Sequence, residues 1–244
     1  MIVAPARPRS ILLATMVAMV GFAFLIGLGV WQLERKAWKE NLIDTLTARL
    51  SAPPQSLPPA PQWPKLDQAQ DEFRRVSLHA EFVPGQTALV YAAASAFRPD
   101  VSGQGYWVLA PAKLPDGGTI VVNRGFIPAE RKDAVPAAPA GAVDIVGVLR
   151  WSESIGMFTP APDVAHGIWY SRDPVAIAAA KNWGAVARFS LEQESPQLPD
   201  APQVGRLVVQ LPDNHLQYAI TWFGLAAALA GVYAVWLFGL LRRR

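Results

Sequence analysis

The sequence predicts a membrane protein in which two transmembrane α-helices flank a β-rich (α+β) extracytoplasmic domain, a small antiparallel barrel or strongly curved sheet of OB-like character. Three observations carry that prediction. The mean hydropathy is +0.20, with 52% hydrophobic and only 17% charged residues in 244, whereas average proteins carry about 25% charged residues. Two uncharged apolar runs, 11–31 and 218–241, stand near the two ends of the sequence. Between them lie short alternating segments punctuated by Pro and Gly, and 22 prolines exclude an all-helical membrane bundle. The absence of cysteine excludes a disulfide scaffold, a thiolate metal site, thiol redox chemistry and a cysteine nucleophile.

Each apolar run reaches the roughly 20 residues that cross about 30 Å of hydrocarbon. The first reads as an uncleaved anchor. Its apolar core is longer than the roughly 7–15 residues of a signal peptide, and Gly29-Val30-Trp31-Gln32 offers no small-x-small cleavage site. Arg7, Arg9, Arg242, Arg243 and Arg244 are the only charges outside the segment between the runs, and that segment carries a net −2. Arginine tails free of acids stay cytoplasmic, while long loops translocate regardless of their own charge. The expected organisation is therefore a cytoplasmic tail (1–10), a first span (11–31), a periplasmic β-rich domain (32–217), a second span (218–241) and a cytoplasmic tail (242–244). The pI near 9.3 follows from those tails and gives no support to a nucleic-acid partner.

After the first span, Trp38, Leu42, Ile43, Leu46 and Leu50 keep a helical period, so this helix is expected to continue to about residue 50, before Pro53 and Pro54. Pro58, Pro59, Pro61 and Pro64 then mark an extended linker or wrapping segment. Residues 75–82 alternate Val76, Leu78, Ala80 and Phe82 with polar partners, as a half-buried strand does. Further strands are expected at 87–93, 106–110, 119–123, 143–150 and 188–191, with a hairpin turn at Asp116-Gly117-Gly118. One helix is expected over 175–183, capped by Asp173, opened by Pro174 and closed at Gly184.

No GxSxG elbow, HExxH, P-loop or GxGxxG occurs, and His79, His166 and His215 are too widely spaced for a short metal motif. An enzyme is not expected. Asp163, His166 and Ser171 in a turn-rich stretch read as local backbone partners rather than hydrolytic machinery, and His79 as a surface imidazole. His215 differs by its address. Pro212 and Asp213 enter the second helix and put His215 in its first turn, with Tyr218, Ala219 and Trp222 on its face. That setting suits an axial haem ligand on an apolar bed, and equally an interfacial histidine within an aromatic belt; the residues alone favour the belt. Gly224, Ala227, Ala228 and Gly231 form a small-residue stripe, with Ala23 and Gly27 on the first helix, expected to pack the spans together or to seat a partner helix. Packed spans would bring Trp31 and Arg35 near His215 and Trp222.

Seven segments, in order from residue 29 to 233, carry a family resemblance: GVWQLERKAWKENLI, EFRRVSLHAEFVPG, GYWVLAP, VVNRGFIPAE, IVGVLR, IWYSRDP and above all NHLQYAITWFGLAAALAGVY. They resemble the surfeit locus protein 1 family, membrane assembly factors of haem-copper cytochrome c oxidase. The resemblance implies two membrane helices around a periplasmic or intermembrane-space loop, maturation of oxidase subunit I, and, in bacterial members, binding of haem a and its delivery for insertion. It implies that His215 is the haem iron's axial ligand, and it matches Trp31 and Arg124 to further motif positions. Tyr218 and Trp222 would then supply the apolar bed and Arg35 or Arg124 would meet the propionates. The expected setting is a bacterial inner membrane, with subunit I, the haem a synthesis machinery and membrane lipid as partners. The alternative is a haem-free scaffold that stabilises subunit I during assembly.

Overall fold

The computed structural model describes residues 8–93, 97–152, 156–157, 159–209 and 211–242. The basic residues Arg7, Arg243 and Arg244, and the side chain of Arg9, on which the expected topology rests, lie outside that description. The chain divides into two compact units, one formed by the residues up to Asp44 with those from Leu211 onward, the other by Thr45–Gln210. The divisions fall inside the expected domain limits of 32 and 217, because the helix continues past the apolar run.

The first unit is a pair of helices. Helix α1, Pro8–Ser51, is one uninterrupted element of 44 residues, ending two residues before Pro53 as the period predicts. Helix α4, His215–Leu241, pairs with it. The described apolar stretches, Ile11–Ser51 and His215–Leu241, are both long and apolar enough to cross a membrane. Their pairing is antiparallel and has a definite phase. A side chain added at Gly29 would strike the Phe223 ring at 2.4 Å, and one added at Gly21 would meet Leu229 at 3.3 Å. At one end the Tyr233 hydroxyl meets Thr15, and since the Thr15 hydroxyl proton goes to the Ile11 carbonyl, Tyr233 is the donor. Ala219 and Ala226 are buried on the same face of α4.

That phase corrects one expectation. The stripe Gly224, Ala227, Ala228 and Gly231 faces away from α1: Ala227 and Ala228 are exposed, and a side chain at Gly224 or Gly231 would meet nothing within 4 Å. Gly27 is equally open. The seam instead follows Ala219, Ala226 and Tyr233, seven residues apart and half a turn from the stripe, because aromatic rings lying over glycine backbone and two polar pairs fix the contact there.

The second unit is a closed barrel. Strand β1 (Gln55–Ser56) leads through a 3-10 turn, Ala60–Lys65, and the short helix α2 (Gln68–Asp71) to β2 (Arg75–Phe82), β3 (Ala88–Ala92), β4 (Gly105–Lys113), β5 (Thr119–Pro128), β6 (Ala142–Trp151) and β7 (Ile168–Trp169). Helix α3 (Pro174–Lys181) and β8 (Phe189–Ser195) follow. The ring runs β2-β6-β8-β5-β4 and closes through β4 onto β2. Within that ring only β5 and β8 run parallel. Taking the ring strands in chain order, the first pairs with the second and fourth and the third with the fifth, which is the Greek-key connectivity of an OB-fold barrel.

Burial explains the strand patterns. Strand β2 alternates as expected, sending Val76, Leu78, Ala80 and Phe82 into the barrel with Ile120, Ile145, Leu149 and Phe189. Strands β4 and β5 are buried on both faces, because Trp107, Leu109, Val121 and Phe126 pack outward against β3, β7 and Ile177 of α3. A strand covered on both sides is apolar throughout rather than alternating, so β5 runs on to Pro128, past its expected end at residue 123. The proline-rich segment wraps rather than links: Leu57, Trp63 and Leu66 cover the barrel core, and the Trp63 ring meets Phe189 edge-on. Helix α3 starts as expected, with Asp173 Oδ1 accepting from Val175 N and Ala176 N. It ends at Lys181 because Asn182 adopts the left-handed conformation, φ 56°, before Trp183 is reached.

A histidine held between two apolar helices

Helix α4 begins on His215. Asn214 is its N-cap, and Asp213 Oδ1 accepts from the His215 amide at 2.9 Å, covering one of the donors that a helix start leaves open. His215 Nδ1 lies 2.8 Å from Gln32 Oε1 of α1. An amide oxygen only accepts, so Nδ1 is the donor in this bond and Nε2 is left to another partner. Metal-binding histidines are oriented in this way, with the second nitrogen donating to an oxygen acceptor. Gln32 itself is buried and His215 half-buried. Among the described residues no three His, Asp or Glu side chains converge as a metal cage.

The other expected site residues on the helices differ in exposure. Trp222 is half-buried, while Tyr218 and Trp31 are more than half exposed. Arg35 lies over the Trp38 ring at 3.9 Å, a cation–π contact that holds an exposed guanidinium beside an aromatic surface. Lys39 donates to the Pro212 carbonyl, just ahead of the α4 start, and Lys36 pairs with Glu40. The direct partner of His215 is therefore Gln32, which the sequence reading passed over in favour of its neighbour Trp31. Its signal was present: counted back from Gln32, Gly29, Leu25, Phe22, Ala18 and Thr15 repeat at alternating spacings of three and four, so Gln32 and Thr15 are polar residues at the two ends of one seam.

The barrel unit treats its candidates differently. Arg124 is 3% exposed, and its guanidinium donates to the carbonyls of Pro136 at 3.0 Å and Ala137 at 2.7 Å, with Phe82 beneath it. Burial lowers its pKa. These bonds give Arg124 a structural task within the barrel. Its neighbour Asn123 donates to the buried Glu192 at 2.7 Å and accepts from Gly125 N, a network that also receives Arg172. That network went unrecognised in the sequence because its members come from β5, β8 and the turn before α3.

His79 is exposed beside Asp144, as expected of a surface imidazole. His166 bonds to Asp163 through both its amide and its ring within one turn, and this hydrogen bonding holds the Asp163 carboxyl below its usual pKa. Ser171 Oγ is buried without a hydrogen-bond partner, so no serine–imidazole bond forms.

Comparison with known proteins places these features in context. Residues 19–227, which include both Gln32 and His215, match the sequence model described as the SURF1 family. The Surfeit locus protein 1 of Rattus norvegicus is 34% identical over 221 residues, covering 84% of this chain and 70% of that protein. That of Takifugu rubripes is 33% identical over 220 residues, covering 84% and 89%. A SURF1-like protein of Drosophila melanogaster is 35% identical over 225 residues, covering 84% and 71%.

Proposed function

The chain belongs to the SURF1 family, known as cytochrome c oxidase assembly factors, and from that premise we propose that it carries haem a on His215 and delivers it to oxidase subunit I. The observation that supports this reading is the His215–Gln32 bond. It orients a single imidazole at the end of an apolar helix pair, the kind of nitrogen donor that a haem iron takes as an axial ligand. One nitrogen ligand is also an exchangeable one, as a carrier requires.

The rest of the helix pair fits the ligand's chemistry. Haem a is largely apolar, with two propionates at one edge. Tyr218 and Trp222, three and seven residues after His215 on α4, and Trp31, next to Gln32 on α1, offer aromatic surface, and Arg35 offers a cation for a propionate. Arg124 would have to release two carbonyls to do the same, so Arg35 is assigned that part. In this reading the protein sits in a bacterial inner membrane with both termini cytoplasmic and the barrel periplasmic. It receives haem a from the synthesis machinery and acts as a chaperone, not as an enzyme.

The test is the optical spectrum of the detergent-purified full chain, wild type and His215→Ala, after co-expression with the haem a synthesis enzymes. A haem a band that accompanies the wild type and is lost in the variant is the expected result. Haem kept by both would place the ligand elsewhere. Haem absent from both, with subunit I still captured, would favour the haem-free scaffold.

A further inference from the structure

A second feature of the helix pair lies deeper along the same two helices. Ala18, Met19, Phe22 and Ala23 of α1 and Leu229, Ala230 and Tyr233 of α4 line an apolar groove of about 480 Å³. Three of the seven lining residues are alanines, so the space exists because side chains are short where neighbouring positions carry Phe, Leu or Met. The groove has one polar end, where the Tyr233 hydroxyl donates to Thr15. Towards His215 the Phe223 ring lies over the bare backbone of Gly29, an apolar floor between groove and histidine. The near edge, Ala23, is nine residues from Gln32, or about 14 Å at the helical rise.

We propose that this groove is the subsite for the isoprenoid tail of the haem, so that the helix pair selects farnesylated haems over haem b. The inference rests on the haem-carrier reading above. An iron-bound porphyrin at Nε2 of His215 would project one edge along the seam, and a flexible unsaturated chain of isoprene units spans the remaining distance. A cavity lined by Ala, Leu, Met and Phe recognises such a chain by shape and dispersion contact. An acyl chain of a membrane lipid is the competing occupant. What favours the tail is continuity: groove, Phe223 floor and His215–Gln32 pair occupy one seam between the same two helices.

The experiment titrates the detergent-purified full chain with haem a, haem o and haem b, following the Soret band. Haem o shares the tail but lacks the formyl group, and haem b lacks both. Wild type is expected to bind haem a and haem o about tenfold tighter than haem b, a difference that packing contacts along the tail can supply. Filling the groove with Ala230→Trp, or more gently with Ala18→Leu, should bring haem a and haem o down to the haem b affinity. Haem b binding should stay unchanged, which also reports that the helix pair is intact. Equal binding of all three haems by wild type, still lost in His215→Ala, would overturn the tail subsite while keeping the carrier. An equal loss of all three in Ala18→Leu would overturn it as well, and no binding of any haem by wild type would overturn both readings.

Discussion

Gln32 and His215, 183 residues apart in the chain, meet in a 2.8 Å hydrogen bond between the two apolar helices. The bond pairs Nδ1 with an oxygen of the opposite helix and holds the ring, so under the haem-carrier proposal Gln32 is a positioning residue for His215.

Removing that acceptor should weaken the site without removing the ligand. Gln32→Leu is expected to lower haem affinity about ten- to a hundredfold, the usual cost of losing an oriented acceptor behind a metal-bound histidine. Gln32→Glu, which keeps an oxygen acceptor, should retain most of the affinity. Haem titration of the purified variants reads this directly, and equal affinity for Gln32→Leu and wild type would show that Gln32 does not position the ring.

The helix seam should tolerate no side chain at Gly29. A Cβ there would lie 2.4 Å from the Phe223 ring, so Gly29→Leu should destabilise the helix pair by about 1–3 kcal/mol, the range for overpacking. Phe223→Ala in the same chain should recover part of that loss, because it vacates the colliding volume. Thermal unfolding in detergent across the four members of this double-mutant cycle measures the coupling, and strictly additive effects would show that the two positions do not meet.

In the barrel unit, Arg98 is almost fully buried and donates to both oxygens of Asp100, at 2.7 and 2.8 Å. That hydrogen bonding holds the Asp100 carboxyl below its usual pKa. A carboxyl with a lowered folded-state pKa contributes stability above its unfolded value near 4, and the contribution disappears as pH falls through the folded value. Asp100→Asn should therefore lower the unfolding midpoint of the full chain at pH 7, and the gap from wild type should narrow only below about pH 4. A gap that stays constant down to pH 2 would refute the pairing as its cause.

Local features were legible in the sequence. The alternation of Val76, Leu78, Ala80 and Phe82 delimited β2 to the residue, because a half-exposed strand writes its pleat into the chain. Asp173 and Pro174 announced the start of α3, and the double proline after residue 52 announced the end of α1. Strand β5 continues past the expected 119–123 through Arg124 and Gly125 to Pro128, because the barrel buries both within the strand. The stripe of Gly224 and Gly231 is suited by composition to a contact between the spans or with a partner helix, whereas the phase of the contact with α1 depends on the opposing helix.

The sequence by itself determined two membrane-length helices and a β-rich insert between them, since length and period are properties of consecutive residues. Only the tertiary structure decided that Gln32 is the partner of His215, that Arg124 serves the barrel, and that the small-residue stripe faces outward. Those outcomes depend on the rotation of one helix against another and on which strand closes a ring. Such relations are set by packing between residues far apart in the chain, and no local pattern records them.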